Sequence, residues 1–212
     1  MKKELDYFYI EGSYGGNQEW FNDFFFRLGG CGAETACELC IFSDKYFKTK
    51  LYPFDIENLT KKDYSSFADI MRPFLHPRFS GIDKLSIYTE GFSRFLEERN
   101  ADIMLTEFDG NREYSEAEKE LKNQIDKGFP VSFLCLNHCD KRFKEYEWHW
   151  FIINGYDERE TGLFVKAVTY SEYEWLDFQR LWNTGKERKG GMVFFSPSEK
   201  PKTRNSGLGT RN

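Results

Sequence analysis

The sequence predicts an α+β fold, with helices first and an antiparallel β-sheet second. Up to about residue 126 the apolar residues recur mostly at three- and four-residue spacing, the pattern of one-faced helices. From residue 130 the chain changes to short runs rich in Val, Ile, Phe and Trp, separated by turn residues, which is strand patterning. With 212 residues, 40% of them hydrophobic, the chain can bury one good-sized core, and neither a linker nor an internal repeat divides it. One domain is expected over residues 1–196, with the polar segment 197–212 as a disordered tail.

In order along the chain, residues 6–10 (Asp-Tyr-Phe-Tyr-Ile) read as a short aromatic and β-branched strand. The glycines at 12, 15 and 16 lack any phosphate-loop spacing, so they are read as turn residues. An aromatic run from Phe21 to Phe26 leads to Gly29-Gly30-Cys31-Gly32, where a helix begins at once with Ala33, Ala36, Cys37, Cys40 and Ile41 on one stripe. Tyr64, Phe67, Ala68, Met71 and Leu75 predict a second helix over 60–75, with Pro73 disturbing its last turn. Leu85, Tyr88, Phe92, Phe95 and Leu96 predict a third over 83–97, and 101–108 reads as extended. Ser115-x-x-Glu118 has capping-box form and opens a helix through Ala117, Leu121 and Ile125 to Gly128. Strands are expected at 130–136, 147–156, 162–170 and 191–195, with a short helix at 176–182.

Composition narrows the function classes. The net charge of -5 leaves no basic footprint for nucleic acid. No apolar run is long enough to span a membrane, and the N-terminal stretch lacks the apolar core of a signal peptide, so a cytoplasmic location is expected. Five cysteines without disulfide-framework spacing agree with a reducing compartment.

Cys31 is the candidate nucleophile. A thiol at a helix N-terminus faces unpaired backbone N–H groups and the positive end of the helix dipole, which lower its pKa, and flanking glycines let a substrate backbone approach. Of the three histidines, His76 precedes a proline in a loop and His138 follows a strand. His149 stands within Glu147-Trp148-His149-Trp150-Phe151-Ile152-Ile153-Asn154-Gly155-Tyr156, where a strand would hold its ring rigidly, making it the best base for Cys31.

Three pieces in this order carry a resemblance: Asn17-Gln18 ahead of Trp20 and Phe21, then Gly30-Cys31-Gly32-Ala33-x-Thr35-Ala36, then His149 to Asp157. The chain resembles the papain-like cysteine peptidases, in particular the branch related to bacteriocin-processing, double-glycine leader peptidases. The resemblance implies a papain-like fold with Cys31 as nucleophile, His149 as general base and Gln18 as oxyanion donor. It also implies an Asp or Asn on the strand after the histidine strand, and here the sequence departs, because 163–170 contains neither. A turn centred on residue 159 places Thr169 opposite His149, so the Thr169 hydroxyl is the candidate third group. Asn154 lies at odd spacing from His149 and is assigned to the other face. Trp148, Trp150, Tyr170 and Trp175 flank the expected site as core or groove residues.

The function expected is peptide hydrolysis or a related thiol-dependent amide hydrolysis on a peptide or protein substrate, with no cofactor, metal, nucleic acid or membrane partner and no oligomeric state specified. The missing Asp or Asn supports a different reading, a catalytically inactive papain-fold protein that binds a peptide or protein partner. A weaker reading is a structural zinc site from Cys37, Cys40, Cys135 and Cys139 with His138. Against it, Cys37 and Cys40 share the apolar helical stripe, where free cysteines pack as small hydrophobes.

Overall fold

The computed structural model describes residues 1–78 and 81–197. The segment 198–212, most of the expected tail, lies outside the described residues. Strand β1 (Lys2–Glu4) is followed by a small hairpin, β2 (Tyr9–Ile10) and β3 (Ser13–Tyr14). Glu11 and Gly12 close this hairpin at φ 48° and 84°, both left-handed, which matches the twist a two-residue hairpin turn requires. A 3-10 turn (Gln18–Trp20) precedes α1 (Phe24–Gly29), α2 (Cys31–Phe47), α3 (Lys61–Met71) and α4 (Leu85–Glu98). Then come β4 (Ile103–Asp109), α5 (Tyr114–Asp126), β5 (Val131–Cys135), β6 (His149–Arg159), β7 (Gly162–Thr169), β8 (Glu172–Asp177), α6 (Phe178–Trp182) and β9 (Gly190–Pro197).

Seven strands form one antiparallel sheet in the order β4-β9-β5-β6-β7-β8, with β1 also paired to β6. Strand β6 is long because it serves three partners: β5 along His149 to Ile153, β1 at Gly155 to Asp157, and β7 on its other edge. The fold is therefore α+β, and helices cover both faces of the sheet. Alternation along β6 separates the two cores: Trp150 and Ile152 pack among the residues of α2, α3 and α4, whereas Phe151 and Ile153 pack with α5 and α6. Among the described residues no helix is long and apolar enough to cross a membrane.

Several elements differ from the sequence expectation. The strand at 6–10 shrinks to Tyr9–Ile10, and the preceding pairing segment is Lys2–Glu4. Ser115 does not cap α5; that helix starts from Glu113 without a side-chain cap, so Ser115 lies inside its first turn. Residues 172–177 form strand β8, which confines the helix expected at 176–182 to Phe178–Trp182. β9 continues through Pro197, the first residue of the expected tail. Helix α2 is not one-faced: every residue from Cys31 to Asp44 is buried. Its polar groups need partners inside, and most have them. Asp44 accepts the Leu51 and Tyr52 N–H groups at 2.8–3.0 Å, and Glu38 accepts the Gly16 N–H at 2.5 Å.

Candidate active site

Helix α1 ends at Gly29 and α2 begins at Cys31, so Gly30 alone makes the corner. A Cβ at Gly30 would run into the Phe26 carbonyl and the Phe21 ring, so the corner closes only on glycine. Gly30 also brings no side-chain cap to the first turn of α2. Cys31 is the first helical residue and is 6% exposed. Its thiol is not acidified as the helix N-terminus predicts. Burial pushes it up to about 11, and the nearby Glu34 adds to the rise. The backbone N–H groups of Trp150, Gly32 and Cys31 act in the opposite direction and are outweighed.

His149 opens β6, directly after Trp148 at φ 59°. Its Nε2 lies 2.6 Å from Thr169 Oγ1, so the two candidates paired by sequence reasoning meet. The register by which they meet is different from the one expected. Val168 lies opposite Ile152, two residues from the pairing that a turn at 159 implies, and a bulge follows between Ile153 and Tyr156. A two-residue shift preserves the face of each side chain, so Thr169 stays on the side of His149. The Tyr170 ring stacks on the imidazole. Burial between these groups pushes His149 down to about 4. Asn154 is fully buried, and its Nδ2 donates to the Tyr14 hydroxyl at 2.9 Å, away from the imidazole.

Gln18 is buried in the 3-10 turn, and its Nε2 donates to the Arg27 carbonyl at 2.7 Å. Gln18, Cys31 and His149 line one cleft of about 1030 Å³. Phe25, Leu28, Trp148 and Tyr170 form its apolar rim, and Phe25 and Leu28 are 71% and 67% exposed. Arg72, His76 and Arg78 line the cleft as well. Sequence reasoning missed Phe25, Leu28, Arg72 and Arg78, because a six-residue helix and a loop after α3 carry no periodic signal. Trp150 and Trp175 do not border the cleft. Trp150 stacks on Tyr88 in the core and donates to the Ile82 carbonyl at 2.7 Å, while Trp175 packs under Lys2 and Arg159.

The other candidate chemistry is dispersed. Both ring nitrogens of His138 are engaged, by the Arg180 carbonyl at 3.0 Å and the Asp140 N–H at 2.9 Å. Cys37 and Cys40 lie in the core on one side of the sheet, Cys135 lies in the core on the other, and Cys139 is exposed. No three His, Cys, Asp or Glu side chains are grouped to hold a metal ion among the described residues. A second depression of about 720 Å³ beside α4 and β4 contains no cysteine or histidine.

Compared with protein-family models, curated proteins and solved structures, the chain matches none. The geometry of the cleft therefore carries the functional argument. It combines a thiol at an uncapped helix start, an imidazole fixed through one nitrogen, and a side-chain amide held on a carbonyl.

Proposed function

We propose that this chain is a cysteine peptidase or closely related thiol amidohydrolase of papain-like architecture. The observation that carries the proposal is the convergence of Gln18, Cys31 and His149 on one cleft, with Thr169 Oγ1 on His149 Nε2. In the Nε2–H tautomer His149 donates to Thr169, which leaves Nδ1 as the proton acceptor. Nδ1 takes the Sγ proton as sulfur attacks an amide carbonyl. The oxyanion then forms near the backbone N–H of Cys31 and the second N–H of Gln18 Nε2. His149 passes the proton to the leaving amine as the C–N bond breaks, giving a thioester. Water, deprotonated by His149, cleaves the thioester to a carboxylic acid and restores the thiol.

The depressed His149 and elevated Cys31 favour a neutral thiol–imidazole pair at rest. Proton transfer therefore accompanies attack. The neutral Thr169 hydroxyl fits this, since it orients the ring without the charge that would stabilise a resting imidazolium. The apolar rim of Phe25, Leu28, Trp148 and Tyr170 suits an extended peptide bearing bulky apolar side chains.

The test is incubation with a mixed peptide library, read by mass spectrometry, against Cys31→Ala. Cleavage by the native chain alone, with a Cys31 thioester trapped at short times, supports the proposal. Peptide retention without cleavage or thioester supports the second reading, a silent peptide-binding cleft, which the elevated Cys31 thiol favours.

A further inference from the structure

Glu34 stands one turn into α2 from Cys31 and is 2% exposed. Both of its carboxyl oxygens are buried without a hydrogen-bond partner, and so is Gln18 Oε1. The Gln18 backbone N–H approaches the Glu34 carboxyl closely enough to favour its charged form, without the geometry of a hydrogen bond, so the two residues are neighbours. Buried acceptors left without a hydrogen-bond partner are strongly unfavourable inside a protein. A protonated carboxyl has one O–H to give, and a single such bond would give Gln18 Oε1 and one Glu34 oxygen a partner each.

Burial outweighs the pull of the Gln18 N–H and keeps that proton on. Glu38 from the next turn of α2 and Glu19 from the 3-10 turn both oppose ionisation of Glu34, in addition to burial. Tyr7, Tyr64 of α3 and Tyr170 of the β7–β8 turn lie within electrostatic reach of the same carboxyl, as do Cys31 and Cys37 of its own helix. None of these groups is a cation.

We infer that Glu34 is a positioning residue that works as a neutral carboxylic acid, donating its O–H to Gln18 Oε1. With Nε2 already held by the Arg27 carbonyl, this bond fixes the amide plane at both ends and directs the remaining N–H at the oxyanion. The inference rests on the acyl-transfer reading of the cleft.

The experiment compares two reactions of Cys31 in the full chain. One is acylation by a p-nitrophenyl ester of an N-acetylated apolar amino acid, in which sulfur forms an oxyanion before p-nitrophenolate leaves. The other is alkylation by iodoacetamide, which forms no oxyanion. The ratio of the two rates, taken for each variant relative to the native chain at the same pH, reports the oxyanion donors. Gln18→Ala is expected to lower the ratio roughly 10²-fold. Glu34→Ala is expected to lower it about tenfold, while Glu34→Gln, whose amide N–H replaces the carboxyl O–H, keeps it within about threefold of the native value. As rising pH removes the Glu34 proton, the ratio of the native chain falls relative to that of Glu34→Gln at the same pH. If Glu34→Ala does not fold, this contrast in pH dependence decides. An unchanged ratio in a folded Glu34→Ala, or equal pH profiles in native chain and Glu34→Gln, overturns the inference alone. A ratio insensitive to Gln18→Ala, or no acylation of native Cys31, overturns the acyl-transfer reading and the inference with it.

Discussion

The Tyr170 ring lies parallel to the His149 imidazole, 4° from it in plane and 4.8 Å between centroids. Tyr170 and Ser171 take φ 51° and 65° in the β7–β8 turn, and the Ser171 N–H donates to the Gly16 carbonyl at 2.9 Å. The residue that covers the imidazole is thus tied to the loop that leads into Gln18. Tyr170→Ala opens His149 to water, so its titration rises from about 4 toward the ordinary ~6.5. Tyr170→Phe keeps the stack and leaves it low. NMR titration of the imidazole distinguishes them, and equal values in both variants would contradict the role of the ring.

Thr169 is the single polar side chain hydrogen-bonded to the His149 ring among the described residues. Thr169→Val leaves Nε2 without its partner, and acylation of Cys31 is expected to fall about 10–100-fold, or ~1.4–2.7 kcal/mol. Thr169→Ser retains most of the rate. Single-turnover acylation kinetics checks this.

The pH dependence follows from the two buried groups. His149 accepts a proton only when neutral, and its lowered pKa keeps it neutral down to about 4, so under the proposed mechanism acylation is expected to persist well below the ~6.5 of a free imidazole. Alkylation of Cys31 keeps climbing through pH 9, past the ~8.5 of a free thiol, because its ionisation lies near 11. For stability, the depressed His149 contributes fully above ~6.5, and that contribution is lost as pH falls toward about 4. A rate profile that breaks near 6.5 would refute the neutral-pair description.

Glu38 has the opposite sign. Burial pushes its carboxyl up to about 7, so the unfolded chain gives up this proton first as pH rises, and stability drains away between the ordinary carboxylate range and neutrality. Glu38→Gln keeps an acceptor for the Gly16 N–H but cannot ionise. Its melting temperature relative to the native chain is expected to increase from pH 5 to pH 8. A difference independent of pH would count against a proton held at this position.

Gly30→Ala tests the corner. The added methyl meets the Phe26 carbonyl, which is backbone, and the Phe21 ring, so α1 and α2 must separate. A loss of roughly 1–3 kcal/mol is expected by denaturant titration, with slower acylation of Cys31. Gly81→Ala, which has open space around its Cβ but sits at φ 67°, provides a contrast in which backbone strain acts without a clash.

Local pattern determined much of this molecule. Helices α2, α3 and α4 and strands β5, β6, β7 and β9 follow from apolar spacing and β-branched runs, because each buries a continuous stripe or alternates between two cores. Cys31 and His149 stood out because glycines frame one and a strand the other. Tertiary structure alone decided the remainder. β1, β3 and β8 are short and mostly exposed or partly buried, and they become strands through pairing with β6, β2 and β7. The register that brings Thr169 to His149 depended on a bulge that hydrophobic alternation does not encode. The thiol and imidazole pKa values were set by burial, which overrode the helix-terminus rule at Cys31. The Glu34 carboxyl sits beside Gln18 because α2 is enclosed on every side, and a sequence that places glutamate in a helix gives no sign of such enclosure.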